Sequence, residues 1–148
     1  MSSNVVTDRQ AKLVAEFAAF PTWEDRYKHL IEKGKKLSAL PPELVDEKYK
    51  VKGCQSQVWL HAGLDSQGRV EFKGDSDALI VKGLVAVLLE AYSSATPAEI
   101  LGAKTDFLKD LGFEGHLSPS RANGLFAMLK QILYYAQAFQ ALASLTKK

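Results

Sequence analysis

The feature that most constrains this chain is the apolar run at residues 78–92. Its large aliphatic side chains recur at helical spacing around most of the circumference: Ile80, Val81, Leu84, Val85, Leu88 and Leu89. A helix that is apolar on nearly every side is stable only when other elements cover it. Lys82, Gly83 and Glu90 interrupt the run, which falls short of the roughly 20 apolar residues that cross a bilayer. We therefore expect a buried central helix and no membrane span.

The segment before this run has the pattern of two amphipathic helices. Apolar residues at helical spacing follow a possible cap at Thr7 or Asp8, which predicts a first helix of roughly three turns. Thr22, with Asp25 three residues later, predicts the N-terminus of a second helix. Gly34 is expected to end that helix, because glycine commonly follows the last helical residue.

Three further helices are predicted after the buried run. Thr96 and Glu99 have the spacing of a capping box, with proline at the first helical position. Residues 107–111, closed by Gly112, predict a second short helix. Ser118 then precedes a long last helix whose apolar residues advance by threes and fours.

Between the two helical regions the periodicity changes to two, which is typical of strands. Residues 48–52 alternate lysine with apolar residues, residues 58–64 alternate again, and residues 70–72 follow a turn at 65–68. The predicted order is helices, then a three-stranded antiparallel sheet, then more helices. This order predicts an α+β sandwich, with the helices packed on one face of the sheet. No repeat or linker divides the sequence, so we expect a single domain over residues 1–148.

Composition narrows the functional classes. Lys and Arg number 19 and Asp and Glu 17, for a net charge of +2, which does not favour nucleic acid as the principal partner. A single cysteine cannot form an internal disulfide and fits a reducing compartment. Residues 1–10 are polar and lack the apolar core of a secretory signal. These observations predict a cytoplasmic protein.

The single cysteine, Cys54, lies in Gly53-Cys54-Gln55-Ser56, between the first two predicted strands. A loop at this position would present the thiol to solvent or to a partner. Gly53 would let the backbone fold tightly beside the sulfur. A lone cysteine is often a small buried hydrophobic residue, but the loop context disfavours that interpretation.

The motif from Gly53 to Trp59 resembles the signature of the SufE family, sulfur acceptors that stimulate cysteine desulfurases. Further blocks follow in the family's order: residues 74–78, residues 80–84, residues 116–121 and Gly124-Leu125. The resemblance extends over roughly residues 17–133. The run Gln55-Ser56-Gln57 resembles SufE more than the sister branch CsdE. Tyr49 departs from the family pattern, which often has asparagine at this position ahead of the Gly-Cys pair. The family's fold is similar to that of the NifU-like scaffolds of iron–sulfur clusters.

The resemblance implies that a SufS-like cysteine desulfurase, using pyridoxal phosphate, passes sulfur from its own persulfide to Cys54. A downstream SufBCD-like complex for iron–sulfur cluster assembly would receive it. This chain would hold no cofactor or metal itself. The residues expected to form the loop or contact the partner are Gly53, Gln55, Ser56, Asp75 and Arg121. For Arg121, an ion pair with Asp75 or Asp77 is an open alternative.

Three other functions remain to be weighed. One is a CsdE-like relay of sulfur to another thio-cofactor pathway. Another is an iron–sulfur scaffold, which needs about four ligands, mostly cysteines, and this chain has one cysteine. The third is a thiol hydrolase, which needs a base within about 3 Å of the sulfur. His61 would lie roughly 17 Å along the strand from Ser56, and no recognisable hydrolase motif surrounds His116.

The three lysines of residues 48–52 have two interpretations. Lys48, Lys50 and Lys52 are expected to project from one face of a strand, where they favour the Cys54 thiolate or meet an acidic desulfurase surface. Alternatively, they belong to a solvated strand edge whose charges prevent edge-to-edge aggregation.

Overall fold

The structure of the protein is a computed structural model that describes residues 4–52, 56–113 and 115–146. Two helices precede the sheet and four follow it: α1 (Val5–Ala18), α2 (Trp23–Lys35), β1 (Val58–Leu64), β2 (Val70–Ser76), α3 (Leu79–Tyr92), α4 (Pro97–Gly102), α5 (Phe107–Asp110) and α6 (Pro119–Thr146). Two single-turn 3₁₀ helices, Pro42–Leu44 and Glu47–Tyr49, lie between α2 and β1. The predicted α+β order of helices, sheet and helices is confirmed.

Local sequence signals set the start of three helices. The Thr22 side chain accepts a hydrogen bond from the backbone N–H of Asp25 at the start of α2. Thr96 and Glu99 form a reciprocal capping box at α4. The Ser118 hydroxyl accepts a hydrogen bond from the first turn of α6 at 3.3 Å. All three N-termini lie where their capping residues predict them.

The first helix begins earlier than predicted. Its cap is Asn4, whose side chain accepts hydrogen bonds from the backbone of Val6 and Thr7, so neither Thr7 nor Asp8 is the cap. The Asn4 side-chain amide also donates to the backbone carbonyl of Glu99 in α4 at 2.9 Å. The start of α1 is therefore fixed partly by a distant element, which the local pattern does not reveal.

The antiparallel pair β1 and β2 buries one face against the helices. Leu60 lies opposite Gly74, and both are buried, as is Phe72. The Phe72 ring lies 6.4 Å from the ring of Tyr135 in α6, whose hydroxyl donates to the Leu60 carbonyl at 3.3 Å. Alternate residues such as His61 face the other way and are half-buried. The helices thus pack on one face of the sheet.

A third strand is not found among the described residues. The segment predicted as that strand, residues 48–52, instead overlaps the 3₁₀ helix Glu47–Tyr49. The Asp46 side chain caps this turn by accepting a backbone hydrogen bond, which competes with an extended conformation. Lys50 forms a single bridge to Trp59 of β1. An alternation of five residues was too short to distinguish a strand from a capped turn.

The central helix α3 is buried on most of its circumference, as predicted, and α2 crosses it at a pair of glycines. A Cβ atom on Gly34 would lie 2.8 Å from the backbone nitrogen of Gly83, and one on Gly83 would lie 2.4 Å from the carbonyl oxygen of Leu30. Gly34, which was expected to end α2, therefore lies within it and permits the close crossing. Among the described helices, none is long and apolar enough to span a membrane.

We expect Gly83→Ala to destabilise the protein, because its methyl group would force the two helices apart. Overpacking a core typically costs about 1–3 kcal/mol, and the better helix propensity of alanine, worth about 1 kcal/mol, offsets part of that. Urea denaturation followed by circular dichroism measures the free energy of unfolding. The control is Gly102→Ala, where the nearest atom to the added Cβ lies 3.5 Å away. A Gly83→Ala protein as stable as this control would contradict the tight crossing.

Candidate functional site

The predicted sulfur-accepting motif lies immediately before β1. Three of its residues lie outside the described residues: Gly53, Cys54 and Gln55. The chain on either side of them is held together, since the backbone N–H of Val51 donates to the carbonyl of Val58 at 2.8 Å. Ser56 is described and half-buried. The two flanks of the motif therefore have defined positions at the start of the sheet.

Gln57 anchors the C-terminal flank to the junction between β2 and α3. The Asp77 carboxylate accepts hydrogen bonds from the Gln57 backbone N–H at 3.0 Å and from its side-chain amide at 3.3 Å. The Gln57 carbonyl accepts from the Asp77 backbone N–H at 3.2 Å and from the Ser76 hydroxyl at 2.8 Å. Sequence reasoning missed this role of Asp77, although the block at residues 74–78 had marked the region.

A cavity of about 340 Å³ opens beside Ser56 at the N-terminus of α6. Its described lining combines hydroxyl groups and a guanidinium with apolar side chains: Ser56, Val81, Ser118, Ser120, Arg121 and Met128. The structure therefore brings together two of the predicted site residues, Ser56 and Arg121, from distant parts of the sequence. Val81 contributes from α3, so the buried helix forms part of the same wall.

One cationic side chain and the start of a helix contribute to the lining of this cavity. Arg121 is exposed and, within the described residues, forms no ion pair with Asp75, Asp77 or any other carboxylate. It stands in the first turn of α6, where the unpaired backbone N–H groups carry the positive end of the helix dipole. A cation together with a helix N-terminus favours an anion, including a thiolate or a persulfide.

Asp75, a predicted partner contact, is not among the described lining of the cavity. Its carboxylate lies 3.4 Å from the ammonium of Lys82 and accepts a hydrogen bond from the backbone N–H of Ser76 at 2.8 Å. It lies opposite Trp59 on the face of the sheet that points away from the core. The alternative hypothesis, an ion pair between Asp75 and Arg121, is therefore wrong. A contact of Asp75 with a partner protein stays a prediction.

The three predicted lysines do not share one face of a strand. Lys48 and Lys52 are exposed, whereas Lys50 is half-buried and its ammonium lies 3.2 Å from the carboxylate of Glu47. All three nevertheless line one groove, on a different side of α6 from the Ser56 cavity.

Neither of the two weighed histidines belongs to the described lining of the cavity. His61 packs its ring 5.0 Å from that of Tyr49, which helps to hold residues 48–52 against β1. His116 stacks on Trp23 with ring centroids 4.7 Å apart. Within the described part of the chain, no three side chains of His, Cys, Asp or Glu group as a metal site would require.

Comparison with protein families gives a match over most of the chain. The model described as "SufE: Fe-S metabolism associated domain" matches residues 11–136. The chain belongs to the SufE family. The resemblance seen in the sequence is thereby confirmed at the level of the family, and it places this SufE protein in sulfur transfer and iron–sulfur metabolism. The matched range includes Cys54, Ser56 and Arg121.

Solved structures share the fold of this SufE chain, and one of them matches it over most of its length. It is the solution structure of a hypothetical protein from Thermus thermophilus, with a TM-score of 0.77 and 24% sequence identity. The match covers 91% of this chain and 98% of the other. At that identity the likeness concerns the arrangement of helices and sheet, which supports the α+β architecture described above.

Burial lowers the pKa of His61, and the positive charge of Lys73, its partner across the sheet, lowers it further. We expect Lys73→Gln to raise the pKa of His61, because the imidazolium form would no longer face an ammonium group. The value should stay below the ordinary one, since burial remains. An NMR titration of the ring protons measures it. Lys12→Gln, an exposed change on α1, is the control, and an equal shift in both variants would contradict this assignment.

Proposed function

We propose that this protein accepts sulfane sulfur from a pyridoxal-phosphate-dependent cysteine desulfurase as a persulfide on Cys54, stimulates that enzyme and passes the sulfur on. The observation that carries the proposal is the SufE family match over residues 11–136, a range that contains the single cysteine of the chain. Membership in this family implies an interaction with a cysteine desulfurase. The pyridoxal phosphate belongs to that partner.

The proposed transfer is an exchange between a thiolate and a persulfide. The Cys54 thiolate attacks the outer sulfur of the desulfurase persulfide, which keeps its proton. A new S–S bond forms on Cys54, and the bond to the desulfurase cysteine breaks as that cysteine leaves as a thiolate. No external oxidant or reductant is consumed, and the reaction needs an accessible thiolate rather than a metal.

The cavity beside Ser56 supplies a suitable environment for the sulfur in this proposal. Arg121 and the first turn of α6 would stabilise negative charge on the thiolate or on the persulfide. Val81 and Met128, the apolar side chains of the described lining, would reduce the access of water. Gly53 and Gln55 would shape the backbone around Cys54, and Asp75 would contact the partner.

The finer assignment rests on the residues around Cys54. The run Gln55-Ser56-Gln57 favours the SufE branch, so we propose delivery to a SufBCD-like assembly complex in the cytoplasm. Recovery of the transferred sulfur in a thio-cofactor rather than in an iron–sulfur cluster would assign the chain to a CsdE-like relay instead.

Mass spectrometry of the whole protein tests the proposal directly. After incubation with a SufS-type cysteine desulfurase and cysteine, we expect one or more additional sulfur atoms on Cys54. Cys54→Ser should keep the fold, because serine has nearly the same volume, but should lose both sulfur loading and stimulation of the desulfurase. Circular dichroism checks the fold, and incubation without the desulfurase is the blank. Equal stimulation by Cys54→Ser would contradict the proposal.

The role of Arg121 is tested by the rate of sulfur loading. We expect Arg121→Ala to slow loading about tenfold, equivalent to about 1.4 kcal/mol, because a charged hydrogen-bond donor is lost. Arg121→Lys should recover part of the rate and should restore the pH profile of Cys54 alkylation toward that of the wild type.

Arg69→Ala is the matched control, because Arg69 pairs with Asp65 at the turn between β1 and β2. A loading rate unaffected by Arg121→Ala, or slowed equally by Arg69→Ala, would show that Arg121 does not act on the sulfur.

A further inference from the structure

A second opening lies on a different face of α6 from the Ser56 cavity. It is a groove of about 920 Å³ between residues 48–52 and the middle of α6. Gly124 lines the cavity, whereas its neighbour Asn123 lines the groove, and successive side chains of a helix point about 100° apart. The α6 wall of the groove extends from Asn123 to Gln137, which is about 21 Å at 1.5 Å per residue.

The groove carries positive charge that the described residues leave largely unneutralised. Its charged lining consists of lysines: Lys48, Lys50, Lys52 and Lys130. Lys50 pairs with Glu47 at 3.2 Å. The other three are exposed and have no ion pair within the described residues, and no carboxylate belongs to the described lining. A partner with acidic side chains is therefore attracted to this surface.

Two large aromatic side chains are exposed on the same wall. Phe126 is 52% exposed and Tyr134 is 63% exposed. With Lys130 between them they are spaced by four residues each, so all three lie in one row along α6. Exposed aromatic residues bordered by cations are typical of the anchors that contribute most to protein interfaces. The groove thus combines two exposed aromatic side chains with one lysine between them on α6 and three lysines on residues 48–52.

We propose that this groove binds an acidic amphipathic helix of a partner protein. Such a helix would place apolar side chains against Phe126 and Tyr134 and carboxylates beside the lysines, in the helix-in-groove mode of recognition. A helix of about 14 residues matches the 21 Å length of the wall. The partner helix is defined by its chemistry: it carries carboxylates that meet the lysines and an apolar stripe that packs on the two aromatic side chains.

The spacing of the aromatic residues disfavours single-stranded nucleic acid as the occupant. The eight-residue separation between Phe126 and Tyr134 corresponds to about 12 Å along the helix. Bases of one strand rise by about 3.4 Å in a duplex, and stacking platforms engage successive bases. The described groove also lacks the further aromatic residues that would fill the gap.

This inference concerns binding and does not depend on sulfur chemistry. Lys52 directly precedes residues 53–55, so a helix in the groove would lie beside the proposed sulfur-accepting motif. The Cys54→Ser protein should therefore bind a helix in the groove as tightly as the wild type does. Failure of groove binding and failure of sulfur transfer are separate results.

The test uses the full ¹⁵N-labelled chain and a synthetic 16-residue amphipathic helix that carries six glutamates and a stripe of four leucines. We expect amide shift changes centred on Phe126, Lys130 and Tyr134. The control peptide replaces all six glutamates with glutamines and should bind at least tenfold more weakly, which corresponds to about 1.4 kcal/mol. Equal binding of the two peptides, or no shift change at millimolar peptide, would overturn the proposal.

Protein variants separate the two parts of the recognition. The triple change Lys48→Gln, Lys52→Gln and Lys130→Gln should weaken the peptide about tenfold, as expected for the loss of several exposed charge pairs worth up to about 1 kcal/mol each. A control with the same net charge alters three exposed lysines of α1, α2 and the residue after α2: Lys12, Lys28 and Lys36. Equal weakening by both triple variants would show that peptide binding depends only on net charge, and it would overturn the proposal.

The aromatic row needs its own variant. The double change Phe126→Ala and Tyr134→Ala should weaken the acidic peptide at least fivefold, the effect of losing about 1 kcal/mol at an interface anchor. Leu64→Ala, which truncates another exposed apolar residue, is the control. Tighter binding of poly(U) RNA than of the acidic peptide, or sedimentation showing that the groove is closed by a second copy of the chain, would overturn the choice of occupant.

Discussion

Gly34 and Gly83 bring α2 and α3 closer together than larger residues would allow, and most other elements are placed relative to this contact. The backbones of α2 and α3 come into contact at these glycines, and α2 covers that side of the buried helix. The sheet and the long helix α6 then cover other parts of the same core. Because Val81 lies two residues before Gly83 and lines the Ser56 cavity, a shift of the crossing would change the wall of the site.

The site depends on positions fixed from both flanks rather than on one rigid element. Hydrogen bonds from Val51 to Val58 and between Gln57 and Asp77 hold the chain on the two sides of the motif. Arg121 is placed separately, by the Ser118 cap that starts α6. Arg121 and Ser56 line one cavity because the sheet and the last helix are both packed against α3.

What the sequence predicts well is determined by residues a few positions apart. Thr96 and Glu99 meet within one turn, so their spacing is sufficient to predict the start of α4. Asn4 is different, because its contact with Glu99 comes from a distant segment. The alternation in residues 48–52 predicts a strand, whereas the Asp46 side chain caps a 3₁₀ turn there. The same division applies to the candidate site. Cys54 and its neighbours form a continuous motif that was sufficient to recognise the family, whereas the approach of Arg121 to Ser56 follows from tertiary packing. The place of Lys130 in the groove also follows from tertiary packing, because its neighbours on α6 have the spacing of core residues.

The last helix determines how other molecules reach the two flanks of the motif. Its N-terminal part and its middle section line two separate openings that share no lining residue among those described. With side chains, α6 is about 10–12 Å across, so the helix separates a molecule in the groove from a group in the Ser56 cavity. Lys52, on one flank of the motif, lines one opening, and Ser56, on the other flank, lines the second. Two molecules can therefore contact the chain at the same time, one at each opening, without overlapping.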